Sequence, residues 1–157
     1  EVPIPRRHGY KALSAPTVTG AILASICPPA WADGTDKTKP LVLRKIMRDL
    51  GKNMQDIAGG ISREDWKMVG QIAPLVADHP QPPLAEKMRI LKFAGADAGR
   101  FKGYDEKVHQ AARSLEQAAV LSNGQAVISA FATLQDSCLA CHQSFRKPFL
   151  EHFYGQH

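Results

Sequence analysis

The chain has 157 residues, of which 44% are hydrophobic and 22% are charged, and its formal net charge is +5. This length suits about one domain and excludes a large barrel or a multidomain enzyme. Three cysteines are too few for a dense disulfide scaffold, and the composition is neither that of a disordered chain nor that of a collagen-like one. No apolar run reaches the roughly 18 residues of an ordinary transmembrane helix.

Residues 1–32 have the order of parts found in a secretory signal. The chain opens with basic residues, continues through an uncharged apolar stretch at 12–26, and reaches the small residues of a cleavage site at Ala30-Trp31-Ala32. We therefore expect residues 1–32 to be an export signal or an N-terminal extension, and residues 33–157 to form one domain. Export through such a signal predicts a periplasmic location.

After this opening, two stretches repeat apolar residues every three or four positions, which is the period of an amphipathic helix. The first begins at positions 39–40 and ends near the paired glycines at 59–60. The second begins at Ser62, which forms a near capping box with Asp65. The proline-rich segment 79–83 ends it.

The rest of the chain predicts two more main helices. Residues 84–103 indicate a short helix and a long crossover, and Asp105 is expected to cap the third main helix, which ends near position 123. The fourth is predicted from about 125 to 147, where Pro148 stops it. No useful length alternates with period two. The sequence therefore predicts an all-α fold, an antiparallel four-helix bundle.

The motif that carries chemistry is Cys138-Leu-Ala-Cys141-His142, with the C-x-x-C-H spacing of covalent haem attachment. Two thiols three positions apart lie near one another on a helical turn, so they can reach the two vinyl groups on one edge of a porphyrin. His142 would then present its imidazole to the iron from the same side. The pattern predicts one covalently bound haem c, with Cys138 and Cys141 as anchors and His142 as an axial ligand.

Three other interpretations of the cysteine pair are weaker. A thioredoxin-like site normally lies in strand-rich surroundings, which this chain does not offer. A disulfide between Cys138 and Cys141 would close a very small loop and leave His142 unexplained. A zinc finger completed by His152 and His157 would have a central gap of ten residues, which is shorter than the usual gap of about twelve, and a proline interrupts it.

With these residues the chain resembles the class II c-type cytochromes, the family of cytochrome c prime and its low-spin relatives. The run from Cys138 to Arg146 fits the extended motif C-x-x-C-H-x-x-[FY]-[RK], and the run from Met47 to Met54 is similar to the family's first helix. The resemblance implies a four-helix bundle with haem attached near the C-terminus. It also implies that Arg146 belongs to the haem-binding segment and that Met47 stands where low-spin relatives place a thioether ligand to iron.

The sixth iron ligand separates two functional hypotheses. If Met47 and His142 are both axial ligands, we expect a periplasmic electron-transfer protein that changes no bond of a substrate and is not an enzyme. If Met47 only packs, the expected protein is a five-coordinate, cytochrome c prime-like binder of nitric oxide or carbon monoxide. Zinc-dependent nucleic-acid binding by the C-terminal segment is a third and weaker hypothesis.

The electron-transfer hypothesis sets the expected partners. We expect transient docking with redox partner proteins through small interfaces, and no nucleic acid. Membrane contact is expected only if residues 1–32 are retained. A second copy of the chain is a further candidate partner.

Overall fold

The structure is a computed structural model, and it describes residues 40–156. The prediction of an export signal at residues 1–32 lies outside these described residues. Within them, every regular element is helical. None of the helices in this part of the chain combines the length and the apolar character needed to cross a membrane.

Four helices of the described chain form the predicted antiparallel bundle. They are joined in pairs by three-residue turns at 63–65 and 121–123, which reverse the chain direction. In chain order the helices are α1 (Val42–Ser62), α2 (Trp66–Ala77), α3 (Leu84–Ala94), α4 (Ala98–Val120), α5 (Gly124–Cys141) and α6 (Lys147–Tyr154). A 3-10 turn at Gly95–Asp97 precedes α4, and a π-helical turn at His142–Arg146 follows α5. The bundle consists of α1, α2, α4 and α5, as the sequence predicts.

The core lies where α4 packs against α2 and α5. The largest fully buried side chains of the described residues are Ile57, Val69, Val76, Leu115, Val127 and Leu134. Much of the inner face of α4 is alanine, at positions 111, 112, 118 and 119. Because alanine has no bulk beyond Cβ, the neighbouring helices approach α4 closely.

The turn between α1 and α2 differs from its prediction in two details. The first helix continues through the paired glycines to Ser62. Asp65, and not Ser62, caps α2, because its carboxylate accepts a hydrogen bond from the Met68 N–H at 2.9 Å. The Ser62 hydroxyl instead donates to the carbonyl oxygen of Ala58 at 2.9 Å, which ties it to its own helix.

The predicted start of the third main helix was wrong. The helix, α4, begins at Ala98, so Asp105 lies inside it and is not its cap. The glycines at 99 and 103 favour a crossover by their low helix propensity, but both lie inside α4. No atom lies within 4 Å of a Cβ built at either position, so close packing does not require glycine there. The aromatic rings of Phe101 and Tyr104 pack on Phe145 of the π-helical turn. This tertiary packing outweighs the poor helix propensity of the glycines.

The predicted stop at Pro148 was also wrong. The chain remains helical to Tyr154, with Pro148 in the first turn of α6. Proline is tolerated there because its missing N–H is not needed, whereas inside a helix its ring clashes with the carbonyl four residues before it. The wider π-helical turn at His142–Arg146 accommodates this change.

Candidate functional site: a haem c attachment site

One end of the bundle gathers the parts of the site. Because neighbouring helices are antiparallel, the starts of α1 and α4 lie at the same end as the end of α5. Arg100 of α4 donates to the Ser144 hydroxyl in the π-helical turn, with Nη2 and Oγ 2.8 Å apart. The C-x-x-C-H motif lies at this end, and Met47 lies in the second turn of α1.

Cys138 and Cys141 are both free thiols, partly buried, one helical turn apart at the end of α5. Burial raises the pKa of Cys138. Burial, followed by the charges of Asp105 and Cys138, raises the pKa of Cys141 to about 11. Reactive redox thiols and thiolate metal ligands have lowered pKa values instead. The surroundings of these cysteines therefore do not favour a thioredoxin-like site.

His142 opens the π-helical turn, with its side chain exposed. Desolvation, followed by the charge of Arg146, lowers the pKa of His142. This shift favours the neutral imidazole, which is the form that ligates iron. Arg146 is exposed at the other end of the same turn. The structure thus brings together four of the predicted site residues, the two cysteines, His142 and Arg146.

Phe145 holds the π-helical turn against α4. It is the buried member of the extended motif, with 8% of its surface exposed. Its ring meets the edge of Phe101 at a centroid distance of 5.2 Å and lies 6.2 Å from the ring of Tyr104. The guanidinium of Arg100 lies 5.6 Å from the centroid of Phe145. The aromatic position of the motif therefore positions His142, three residues earlier in the same turn.

Ser144 is a positioning residue that sequence reasoning missed. Its hydroxyl donates to the Ala140 carbonyl oxygen at 3.0 Å, accepts from Arg100 and lies 3.1 Å from the Tyr104 hydroxyl oxygen. This network ties the π-helical turn to both α5 and α4. Ser144 occupies an unspecified position of the extended motif, so no local signal in the sequence points to it.

Met47 lies on the open face of α1, with 40% of its surface exposed. Met54, two turns later, instead packs against the hydrophobic core. The site therefore offers two thiols one turn apart, an adjacent neutral imidazole and an exposed thioether at the same end of the bundle. This donor set fits a covalently attached haem, because thioether bonds need paired cysteines and iron takes imidazole and thioether ligands.

The chain after Pro148, which the resemblance leaves unexplained, packs against α3. The ring of Phe93 lies 5.5 Å from the rings of Phe149 and Phe153 and 5.0 Å from that of His152. The side chain of His152 is exposed. The Tyr154 hydroxyl also accepts a hydrogen bond from the backbone N–H at the start of α1, at 3.3 Å.

The zinc-finger hypothesis gains no support from the described part of the chain. Across residues 40–156, Cys138, Cys141 and His152 do not form a group that could hold a metal ion. His157, the fourth ligand of that hypothesis, lies outside the described residues.

A comparison with known protein families finds a match to the segment that contains this site. The family model described as Cytochrome C' matches residues 91–146, which include the whole extended motif but not α1. No curated protein matches the chain significantly. The match supports a haem c cytochrome, with iron as its metal, that transfers electrons or binds gas molecules. Residues 91–146 are therefore similar to the Cytochrome C' family, which is the family that the C-x-x-C-H motif and the helical bundle predict.

Proposed function

We propose that the protein is a periplasmic electron carrier with one covalently attached haem c. The observation that carries this proposal is the C-x-x-C-H motif at the end of α5, inside the segment that matches the cytochrome C' family. When bound, haem supplies an iron that accepts and releases one electron. Cys138 and Cys141 would anchor the group, and His142 and Met47 would supply its two protein ligands to iron.

The chain's own residues set the properties of this site. Phe145 and Ser144 hold the turn that carries His142, so its imidazole keeps one orientation. As a ligand, the thioether of Met47 would raise the reduction potential of the iron and exclude outside ligands. The protein acts on no substrate bond, so it is an electron carrier and not an enzyme.

The partners follow from this role. Transient docking with redox proteins needs only a small interface around the haem edge. Lysine and arginine side chains of the bundle, which outnumber the acidic residues, would steer an acidic partner to it. The order of parts in residues 1–32 supports export to the periplasm.

Optical spectra test the proposal and the role of Met47 together. For protein expressed with the haem maturation machinery, we expect a low-spin reduced spectrum, a methionine-to-iron charge-transfer band when oxidised, and no response to carbon monoxide. Met47→Leu should remove that band and allow carbon monoxide to bind. Met54→Leu is the matched control, because Met54 packs against the core, and it should leave the spectrum unchanged.

A gas-binding cytochrome of the cytochrome c prime type is the second candidate. It is favoured by the extent of the family match, which covers the cysteines and His142 but not the helix that carries Met47. A high-spin wild-type spectrum that shifts with carbon monoxide would establish this candidate and reject ligation by Met47. A protein without haem bands would contradict both functions.

A further inference from the structure

A second cluster of ligating side chains lies where the loop after α2 meets α4. His79 comes from the proline-rich loop, and Asp105 and His109 lie one turn apart on α4. Nε2 of His79 is 3.2 Å from Oδ1 of Asp105, and Nε2 of His109 is 3.4 Å from Oδ2 of the same carboxylate. One ligand atom from each residue lies within 4.8 Å of the other two, which no other group of three achieves among residues 40–156.

Backbone carbonyls determine which ring nitrogen of each histidine carries a proton. Nδ1 of His79 lies 3.2 Å from the Pro80 carbonyl oxygen, and Nδ1 of His109 is hydrogen-bonded to the Ala77 carbonyl oxygen. Because a carbonyl oxygen only accepts, both Nδ1 atoms carry the N–H. In a neutral imidazole the other nitrogen, Nε2, then holds a lone pair.

When both rings are neutral, both Nε2 lone pairs face the Asp105 carboxylate, and a cation between them would relieve the repulsion. One proton would satisfy one of the two nitrogen–carboxylate contacts and leave the other repulsive. Two protons would make both rings cationic, although the His79 and His109 rings stack with centroids 4.9 Å apart. Like charges at this distance repel. A divalent metal ion accepts lone pairs from both nitrogens and from the carboxylate at once.

The nitrogen–oxygen separations in the cluster are compatible with zinc. Zn²⁺ binds imidazole nitrogen at about 2.0–2.1 Å in tetrahedral sites, which places neighbouring ligand atoms about 3.3 Å apart. The two contacts of 3.2 and 3.4 Å are close to this separation. A histidine that donates its Nδ1–H to a carbonyl is the usual way in which a protein orients a metal ligand.

The cluster is shielded on one side and open on the other. The side chain of His79 is only 6% exposed, whereas that of Asp105 is 39% exposed. An ion can therefore enter past the carboxylate, and a water molecule can complete the fourth position there. Arg113, one turn after His109 on α4, forms an ion pair of 2.7 Å with Asp78, which partly neutralises its guanidinium.

We infer that His79, Asp105 and His109 bind one divalent transition-metal ion of the zinc type. The ion would join the loop after α2 to the first half of α4. The inference goes beyond the proposed electron transfer and does not depend on it, because none of the three side chains is a predicted haem ligand.

Calorimetric titration with Zn²⁺ tests the inference on the full chain after chelator treatment. Thiols that carry no haem are alkylated first, so that Cys138 and Cys141 do not compete for zinc. We expect saturation at one Zn²⁺ per chain, and an affinity at least about 100-fold lower in His109→Gln and in Asp105→Asn. His152→Gln is the matched control, because His152 is an exposed histidine of α6, and it should bind zinc as the wild type does.

Zinc-edge X-ray absorption of the loaded wild-type protein gives a second readout, which does not depend on whether a variant folds. Two imidazole ligands are expected in the wild type and one in His109→Gln. No saturable binding by the wild type up to about 0.1 mM zinc would overturn the inference, as would a zinc spectrum without imidazole scattering. Haem bands are recorded on the same samples, so the zinc site and the proposed function can fail separately.

Discussion

Glu86 on α3 accepts a hydrogen bond from the backbone N–H of Leu43, 43 positions earlier in the chain, at 2.8 Å. Its second carboxylate oxygen accepts from the Val42 N–H, also at 2.8 Å. Leu41, at the N-cap position of α1, provides no side-chain hydrogen bond. Glu86 therefore caps the helix that carries Met47 one turn later, and its negative charge complements the positive end of the helix dipole.

Removal of this cap should destabilise the protein. We expect Glu86→Ala to lower the free energy of unfolding by about 1–2 kcal/mol, because two backbone N–H groups lose their acceptor. Glu86→Gln should cost less, since it keeps one acceptor oxygen. Denaturant unfolding measures both changes. Glu116→Ala near the end of α4 is the control and should stay within about 0.5 kcal/mol; an equally small loss in Glu86→Ala would show that the cap contributes nothing.

Two glycines of α1 should respond in opposite directions to the same substitution. A Cβ at Gly60 would lie 2.9 Å from Cγ2 of Val69, whereas no atom lies within 4 Å of a Cβ at Gly51. We expect Gly60→Ala to destabilise by about 1–3 kcal/mol through overpacking, and Gly51→Ala to stabilise by roughly 0.5–1 kcal/mol through helix propensity. Thermal melting of the two variants checks this. Equal melting points would contradict the close approach of α1 and α2.

The packing of α6 on α3 should depend on Phe93. Its ring contacts Phe149, His152 and Phe153, so we expect Phe93→Ala to lower the free energy of unfolding by about 2 kcal/mol. Hydrogen exchange of the α6 amides should become faster in this variant. Leu84→Ala on the same helix is the control, because Leu84 is 75% exposed. A variant with wild-type exchange in α6 would show that Phe93 does not hold it.

The hydroxyl of Ser144 should contribute more than an ordinary helical serine. Ser144 is bonded to Arg100 of another helix, whereas the Ser137 hydroxyl bonds only the Thr133 carbonyl oxygen of its own helix. We expect Ser144→Ala to cost about 1 kcal/mol, and Ser137→Ala to be close to neutral. Denaturant unfolding compares the two, and equal losses would contradict a role for the network in holding the π-helical turn.

Local patterns were sufficient to predict the helices and the chemistry of the cysteine pair. Apolar residues that recur every three or four positions predicted four helices, and α1, α2, α4 and α5 are those helices. The C-x-x-C-H motif predicted the cytochrome family, which the match over residues 91–146 confirms. Both are short-range signals, because a helical face and a thioether-forming pair are complete within a few turns.

The wrong predictions for the start of α4 and for the stop at Pro148 share one physical cause. The glycines at 99 and 103 and Pro148 are helix breakers by intrinsic propensity, but aromatic packing of Phe101, Tyr104 and Phe149 keeps both segments helical. Propensities amount to about 1 kcal/mol for each glycine, which a few tertiary contacts outweigh. A sequence shows the propensity directly and shows the contacts only after the fold is known.

The helical bundle, the haem motif and the likeness to the Cytochrome C' family are predictable from local sequence patterns, since each depends on residues close together in the chain. Contacts between distant groups become visible only in the folded chain: Glu86 meets the start of α1, Ser144 meets α4, and His79 meets Asp105 and His109. The i, i+4 spacing of Asp105 and His109 is visible in the sequence, but the third ligand arrives from a loop 26 positions before Asp105. Contacts of this kind depend on how α2 and α4 pack, because hydrogen bonds and metal ligation act over about 2–3 Å in space whatever the separation along the chain.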